Sequence, residues 1–251
     1  MLAFVAVMKI FLISMLLIGA AQSLVPVDGF EGRVYKKGKS TMPYRLFIPA
    51  KYDKTSKYPL VIWLHGAGGA GTDNLKQIAN DNYFGPHLWS NPQNQMKYPS
   101  FVLVPQTTGS WAESDPNDLS PEEEMTLAIL QALEKEFSID PQRIYLTGQS
   151  NGGNGTWDLI TKRPMLFAAA VPLCGGGNTA LVSRIAHLPI WAFHGAKDDV
   201  IPVAYSRNMI AGIKQKGGNP KYTEYPGVGH DVWLRALKEP GLVDWLFAQH
   251  R

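Results

Sequence analysis

Residues 143–156, RIYLTGQSNGGNGT, decide the fold of this chain. The first five residues of this stretch, Arg-Ile-Tyr-Leu-Thr, are typical of a short buried β-strand. The next five, Gly148-Gln149-Ser150-Asn151-Gly152, predict a sharp turn, and the residues after them predict a helix. A strand, a tight turn that holds one serine between glycines, and a helix form the arrangement called a nucleophile elbow. Ser150 is therefore the candidate nucleophile.

The residue types of this turn have a physical reason. A serine on so tight a turn has a strained backbone, and side chains at Gly148 and Gly152 would clash with the neighbouring strand and helix. The Ser150 hydroxyl then lies at a helix N-terminus, where the helix dipole favours developing negative charge. The alternative is a glycine-rich turn with a structural role only.

The pattern on both sides of this turn predicts the rest of the architecture. Continuous apolar runs bounded by turn residues predict buried strands at 59–65, 100–105, 166–173 and 189–193, and the last strand is predicted at 221–225. Helical spacing predicts helices at 121–137, 203–216 and 239–249, with Ser120 as the N-cap of the first, and a short helix at 74–79. Alternating residues predict an N-terminal hairpin at 32–49, whereas 83–98 is predicted to be irregular.

Strands and helices alternate after the hairpin, which predicts a mostly parallel central sheet with helices on both faces. The segment between the strands at 166–173 and 189–193 is short, so no lid domain is expected there. The length of 251 residues fits one such domain, which we place at residues 24–251.

Charge and cysteine content exclude several classes of partner. The net charge is +3 and the basic residues are scattered, so a nucleic-acid partner is not expected. The single cysteine, Cys174, ends an apolar run, which indicates a small core residue and allows no intrachain disulfide. The sequence has no His-Glu-x-x-His motif and no paired cysteines, so neither a metal nor a cofactor is expected.

The first 23 residues differ from the rest of the chain. An apolar run from Ile10 to Ala21 follows Lys9, and Ala21-Gln22-Ser23 offers small residues at the spacing that a signal peptidase recognises. Residues 1–23 are therefore predicted to be a signal peptide, with Met8 as an alternative start. The alternative is a membrane anchor, since only Lys9 and small polar residues interrupt the apolar stretch. Cleavage would give a secreted or periplasmic protein without stable membrane association.

A serine nucleophile needs a base and an acid that orients the base, and on this architecture they follow in the order serine, acid, histidine. Four histidines come after Ser150: His187, His194, His230 and His250. His230 is the candidate base because it lies on a glycine-rich loop after the last strand. His187 lies at the wrong end of the sheet, His194 precedes the candidate acids, and His250 is the penultimate residue.

The acid is expected on the loop after the strand at 189–193, where Asp198 and Asp199 are adjacent. Chemistry alone leaves both open, since one can hold the histidine while the other caps the helix that begins near Val203. Asp231 is discounted because it neighbours the base in sequence.

Two backbone N–H groups are expected to stabilise the oxyanion. Asn151 supplies one at the helix start, and Ala67 supplies the other from the glycine-rich loop after His65. A flexible turn without such a role is the alternative for this loop. A phosphate-binding loop is excluded because no Lys-Ser or Lys-Thr pair follows at the required spacing.

Four motifs in this order resemble the α/β-hydrolase esterases: Leu64-His65-Gly66-Ala67-Gly68-Gly69, Gly148-Gln149-Ser150-Asn151-Gly152-Gly153, His194-Gly195 through Asp198 to Pro202, and Gly229-His230. The chain is similar to secreted enzymes related to polyhydroxybutyrate depolymerases and to feruloyl and acetyl-xylan esterases, some labelled predicted peptidases. The resemblance covers the chain from about residue 32 to its end. It implies the α/β-hydrolase fold, and it selects Asp198, four residues past the histidine of the His-Gly pair, as the acid.

The resemblance also implies an activity, namely hydrolysis of carboxylic esters through an acyl-enzyme formed on Ser150. The expected substrates are bulky esters, such as feruloyl or acetyl esters of plant polysaccharide. Trp111 and Trp233 are the aromatic residues best placed in the sequence to line the cleft, and packing without substrate contact is the alternative for each. A serine peptidase of the same fold is the alternative, followed by a non-enzymatic binding protein.

Overall fold

In the computed structural model, which describes residues 24–112, 115 and 117–251, eight strands form one sheet. The strands are β1 (Phe30–Lys37), β2 (Ser40–Phe47), β3 (Tyr58–Leu64), β4 (Phe101–Pro105), β5 (Ile139–Gln149), β6 (Ala169–Leu173), β7 (Trp191–Gly195) and β8 (Lys221–Tyr225). Their order in the sheet is β1-β2-β4-β3-β5-β6-β7-β8. β1 and β2 are antiparallel, β2 is antiparallel to β4, and the remaining neighbours are parallel. The predicted mostly parallel sheet is therefore confirmed.

Alternate residues of the central strands supply the cores on the two faces of the sheet. In β3, Leu60, Ile62 and Leu64 belong to one hydrophobic cluster, whereas Val61 and Trp63 belong to the other. All five are fully buried, as expected for a parallel strand that is covered on both faces. Because the alternate residues that point to each face are all buried, this segment is one continuous apolar run in the sequence.

Helices cover both faces of this sheet. They are α1 (Phe84–Ser90), α2 (Pro92–Lys97), α3 (Pro121–Glu136), α4 (Asn151–Lys162), α5 (Ala204–Gln215), α6 (Trp233–Ala236) and α7 (Leu242–Phe247). α3, α4 and α5 supply buried residues to the cluster that contains Leu60, while α1, α6 and α7 supply them to the cluster that contains Val61. None of the helices among the described residues is long and apolar enough to span a membrane.

Most of the predicted elements are confirmed within a few residues, and β8 has the predicted bounds. The prediction of an irregular segment at 83–98 is wrong, because α1 and α2 lie there. The short helix expected at 74–79 is a 3-10 turn at Lys76–Ile78. The predicted signal peptide lies outside the described residues. The extent of the domain, 24–251, and the absence of a lid stay predictions.

A buried charge cluster joins α3 to α4. Ser120 and Glu123 form a reciprocal capping box at the start of α3, which satisfies two backbone N–H groups. The Lys162 ammonium lies 2.8 Å from an Asp158 carboxylate oxygen and 3.8 Å from Glu123 Oε2. One ammonium cannot neutralise two carboxylates in a buried site. Burial and the charge of Asp158 accordingly raise the pKa of Glu123 from 4.5 to about 8.

This raised pKa predicts that stability falls as the pH rises. Between about 4.5 and about 8, Glu123 is ionised in the unfolded chain and protonated in the folded one. The contribution of Glu123 to the free energy of unfolding should therefore fall by about 1.4 kcal/mol per pH unit across this window. Glu123→Gln should remove that slope in urea unfolding curves measured across the window. Glu134→Gln, an exposed change on the same helix, should keep it; equal slopes in the two variants would refute the assignment.

Candidate active site

Ser150 lies at the junction of β5 and α4 with a left-handed backbone, φ 56° and ψ −119°. This conformation is strained for a residue with a side chain. A Cβ added at Gly152 would lie 2.0 Å from the carbonyl oxygen of Leu64, and one at Gly148 would lie 2.4 Å from the carbonyl oxygen of Gly152. The Ser150 N–H donates to Leu173 O at 3.0 Å, a usual distance for a backbone hydrogen bond. Neighbouring backbone therefore fixes the turn, as the sequence predicted.

The structure brings the predicted base to the serine and the predicted acid to the base. His230 Nε2 lies 2.8 Å from Ser150 Oγ, and His230 Nδ1 lies 2.8 Å from Asp198 Oδ2 and 3.0 Å from Oδ1. A carboxylate accepts only, so the Nδ1 proton faces Asp198 and Nε2 is left to accept the serine proton. The Asp198 side chain is fully buried, whereas 18% of the His230 side chain is exposed. The ring can thus reach both a buried acid and an open cleft.

The two adjacent aspartates have different environments. Asp198 Oδ1 accepts the N–H groups of Val200 and Ile201 at 3.0 and 2.8 Å, which fixes its carboxylate below His230. Asp199 is exposed, and the N-cap residue of α5 is Val203, whose side chain forms no capping hydrogen bond. The interpretation in which one aspartate caps this helix is therefore wrong. Only Asp198 is placed to orient the base.

The loop after β3 approaches the serine from the other side. A Cβ added at Gly66 would lie 3.4 Å from Ser150 Cβ, so backbone runs directly beside the candidate nucleophile. The Gly66 carbonyl oxygen accepts from Gly69 N at 2.9 Å and lies 2.8 Å from His65 Nδ1. In a trans peptide the N–H points opposite to the C=O, so the Ala67 N–H points away from these partners. Asn151 is the first residue of α4, where an N–H has no partner within the helix.

His65 holds this loop in place. Its ring is fully buried, and its Nε2 accepts from the N–H of Thr107 at 3.1 Å. Burial lowers the pKa of His65 to about 4, so the ring is neutral and its Nδ1 proton is donated to Gly66 O. In the sequence, His65 stands out only as part of the motif at 64–69. Its position directly after a buried strand and before a glycine was the available signal for this structural role.

The two tryptophans predicted to line the cleft differ in exposure. Trp111 is fully buried, and its indole N–H donates to His65 O at 2.9 Å. Its prediction as a substrate contact is therefore wrong, because the side chain packs edge-on against the His65 ring and is closed to solvent. Trp233 is 7% exposed and lies edge-on to His230, with ring centroids 5.5 Å apart. Its role as a substrate contact stays a prediction.

Cys174 is the core residue that the sequence predicted, and it adjoins the relay. It is fully buried, with φ 39°. Its Sγ, a carboxylate oxygen of Asp198 and a ring nitrogen of His230 all lie within 4.8 Å of one another. This is the one such group of possible metal ligands in the described part of the chain. Burial raises the pKa of the Cys174 thiol, whereas metals take the thiolate. The group therefore fits a proton relay beside a core thiol, and the expectation that no metal is used stays a prediction.

The sheet with helices on both faces, together with a serine, a histidine and an aspartate on loops that follow its strands, defines the α/β-hydrolase class. A model of the dienelactone hydrolase family matches residues 86–235, more than half of the chain. The chain therefore belongs to the dienelactone hydrolase family.

Individual relatives agree with this assignment. A thermostable esterase of known structure is 39% identical, with a TM-score of 0.85 over 89% of this chain and 64% of that one. A probable feruloyl esterase C from Aspergillus niger is 26% identical over 76% of this chain and 68% of the relative. An uncharacterized secreted protein from Arthroderma benhamiae is 28% identical over 76% of this chain.

This chain covers only 23% of the Arthroderma protein, and 64% of the thermostable esterase, so it is shorter than both. The family and the esterase relatives nevertheless confirm the predicted class of the described domain, an α/β-hydrolase of the esterase type. The domain is a carboxylic ester hydrolase.

Proposed function

We propose that the protein hydrolyses carboxylic esters with a Ser150-His230-Asp198 triad through an acyl-enzyme. One observation carries this proposal, namely the continuous hydrogen-bond chain from Ser150 Oγ through both ring nitrogens of His230 to the Asp198 carboxylate. A serine hydroxyl becomes an effective nucleophile when such a base takes its proton and a carboxylate holds the base.

In the first half of the reaction, Ser150 Oγ attacks the ester carbonyl carbon while its proton moves to His230 Nε2. The carbonyl oxygen becomes an oxyanion that accepts from the N–H groups of Ala67 and Asn151. His230 then gives the proton to the departing alkoxide oxygen, the C–O bond breaks, and the acyl group stays on Ser150. Asp198 stabilises the imidazolium that exists between these two proton transfers.

In the second half, a water molecule attacks the acyl carbon and gives its proton to His230 Nε2. The tetrahedral intermediate again places its negative oxygen at the Ala67 and Asn151 N–H groups. His230 returns the proton to Ser150 Oγ as the acyl bond breaks, which releases the carboxylic acid. No group outside this chain is needed for either half, apart from water.

The proposed substrates are bulky esters, such as feruloyl or acetyl esters of plant polysaccharide. The Aspergillus niger relative is a probable feruloyl esterase, and it matches three quarters of this chain. The predicted signal peptide at 1–23 and the secreted Arthroderma relative support export of a catalytic domain at 24–251 to a secreted or periplasmic location. An exported enzyme without stable membrane association would meet such polymers directly.

A panel of esters with a common leaving group tests the substrate class. We expect kcat/KM for methyl ferulate to exceed that for methyl acetate by at least about 10-fold, the order of discrimination that a shaped apolar site provides. Release of acetate from acetylated xylan, compared with methyl acetate at equal ester concentration, tests the polysaccharide part. p-Nitrophenyl acetate and labelling of Ser150 by a fluorophosphonate establish that the preparation is active.

Three results would contradict the proposal at different levels. Methyl ferulate and acetylated xylan hydrolysed no faster than methyl acetate would refute the substrate class but not the triad. Cleavage of aminoacyl amides without ester hydrolysis would favour a serine peptidase. An absence of fluorophosphonate labelling in folded protein would favour a binding protein.

A further inference from the structure

A second histidine, His194, lies near the same oxygen of the candidate acid as His230. His194 lies near the end of β7, four residues before Asp198, and its ring is fully buried. Its Nε2 lies 2.9 Å from the carbonyl oxygen of Ile201 and 3.2 Å from Asp198 Oδ2. Its Nδ1 lies 2.8 Å from Ser206 Oγ, on α5. The mechanism above does not use this ring.

The partners of His194 fix its tautomer. A carbonyl oxygen and a carboxylate oxygen both accept, so Nε2 carries a proton and directs it toward them. Burial lowers the pKa of His194, which keeps the ring neutral and leaves Nδ1 as an acceptor for the Ser206 hydroxyl. Ser206 Oγ also lies 2.8 Å from Gly175 O, on the loop after β6, and the one hydroxyl proton can be donated to only one of these two acceptors at a time.

The Asp198 carboxylate is surrounded by donors, and His194 completes the set. Oδ1 accepts from the N–H groups of Val200 and Ile201, and Oδ2 faces His230 Nδ1 and His194 Nε2. Ile201 is held twice, because its N–H binds Asp198 Oδ1 while its carbonyl oxygen binds His194. The ring of His194 therefore closes the turn at 198–201 and limits the rotation of the carboxylate.

We propose that His194 is a positioning residue that holds the Asp198 carboxylate in the rotamer that orients His230. This inference rests on the proposed function, because it concerns the acid of the proposed triad. Without His194, Asp198 Oδ2 would lose its 3.2 Å contact with Nε2, and the carbonyl oxygen of Ile201, whose N–H binds Asp198 Oδ1, would lose its donor. A displacement of well under 1 Å at Asp198 would misalign the base.

Two amide substitutions of similar polarity separate positioning from packing. In His194→Gln the side-chain nitrogen reaches the place of Nε2 and can still donate to Asp198 and Ile201. In His194→Asn the nitrogen reaches only the place of Nδ1, so that donor is lost. We expect kcat of His194→Asn to fall about 10- to 100-fold with KM changed less than about 3-fold, the size of one charge-assisted hydrogen bond. His194→Gln should recover most of the loss.

A spectroscopic measurement adds a readout that a packing defect alone would not move. The proton between His230 Nδ1 and Asp198 should give a low-field NMR resonance in the wild type and in His194→Gln, and a shifted or missing one in folded His194→Asn. Ser206→Ala, which keeps the ring but removes its Nδ1 partner, should cause a smaller change of the same kind. This variant keeps the test decisive if His194→Asn does not fold.

The proposal is overturned if folded His194→Asn retains the kcat and the low-field resonance of the wild type, or if His194→Gln is as impaired as His194→Asn. It is equally overturned if His194→Asn does not fold and Ser206→Ala leaves kcat and the resonance unchanged. Ser150→Ala and His230→Ala are measured beside them. Full activity in Ser150→Ala would instead refute the triad itself, so the two failures are distinguishable.

Discussion

Ser150→Ala is expected to lower kcat for ester hydrolysis by about 10⁵- to 10⁶-fold, to the level left by binding and the oxyanion donors alone. The change removes the oxygen that would form the acyl bond, 2.8 Å from His230 Nε2. The strained backbone at φ 56° should not hinder folding further, because alanine and serine have similar conformational limits there. Steady-state hydrolysis of p-nitrophenyl acetate, with thermal unfolding to establish the fold, measures the loss.

The control is Ser183→Ala, an exposed serine of the 3-10 helix Thr179–Ile185, which should retain the activity of the wild type. A double change, Ser150→Ala with His230→Ala, should be no slower than Ser150→Ala alone. Residues that act as one relay lose nearly all of their effect with the first removal. Substantial activity in Ser150→Ala, or a further large loss in the double variant, would show that the serine and the histidine work independently.

The elements with strong local signals were predictable from sequence. The sequence predicts β8 with its observed bounds, and it predicts Ser120 as the N-cap of α3. In the structure, Glu123 completes the capping box with Ser120. Both rest on residues close in sequence: a short run between turn residues, and a serine followed by proline and acidic residues. Such signals do not depend on what the element packs against.

The helices α1 and α2 were missed because their stability comes from distant parts of the chain. Two prolines made the segment look irregular, although Pro92 occupies the first position of α2, where no N–H is required. Trp89 buries itself in the core, and Gly85 lets α1 approach so closely that a Cβ there would lie 2.1 Å from the Trp63 ring. Contacts of this kind appear only once the sheet exists.

The same limit applied to the site. The order of residues along the chain was enough to select Ser150 and His230, which the structure brings to hydrogen-bond distance. The order could not assign a role to His65, whose partner Thr107 is 42 residues away. Nor could it distinguish a buried Trp111 from a cleft residue. Adjacent Asp198 and Asp199 differ only in which side chain the loop turns inward.

Asp198→Asn should therefore lower kcat by about 10⁴-fold, whereas Asp199→Asn should leave it within about 3-fold of the wild type. The pair is matched, since it makes the same change at adjacent positions of one loop. In the first variant, the asparagine oxygen can replace Oδ1 and keep the bonds to the N–H groups of Val200 and Ile201. Its amide nitrogen then replaces Oδ2 and points N–H groups at His230 Nδ1 and His194 Nε2.

Two donors cannot share that contact, so His230 would move its proton from Nδ1 to Nε2 and lose the lone pair that accepts from Ser150. The opposite amide orientation is no better, because it would direct N–H groups at the N–H groups of Val200 and Ile201. The loss should thus appear in kcat with little change in KM, measured with p-nitrophenyl acetate and butyrate. If Asp199→Asn were the inactive variant, the relay would need an acid that lies exposed, and Asp198 would be a structural residue of the turn.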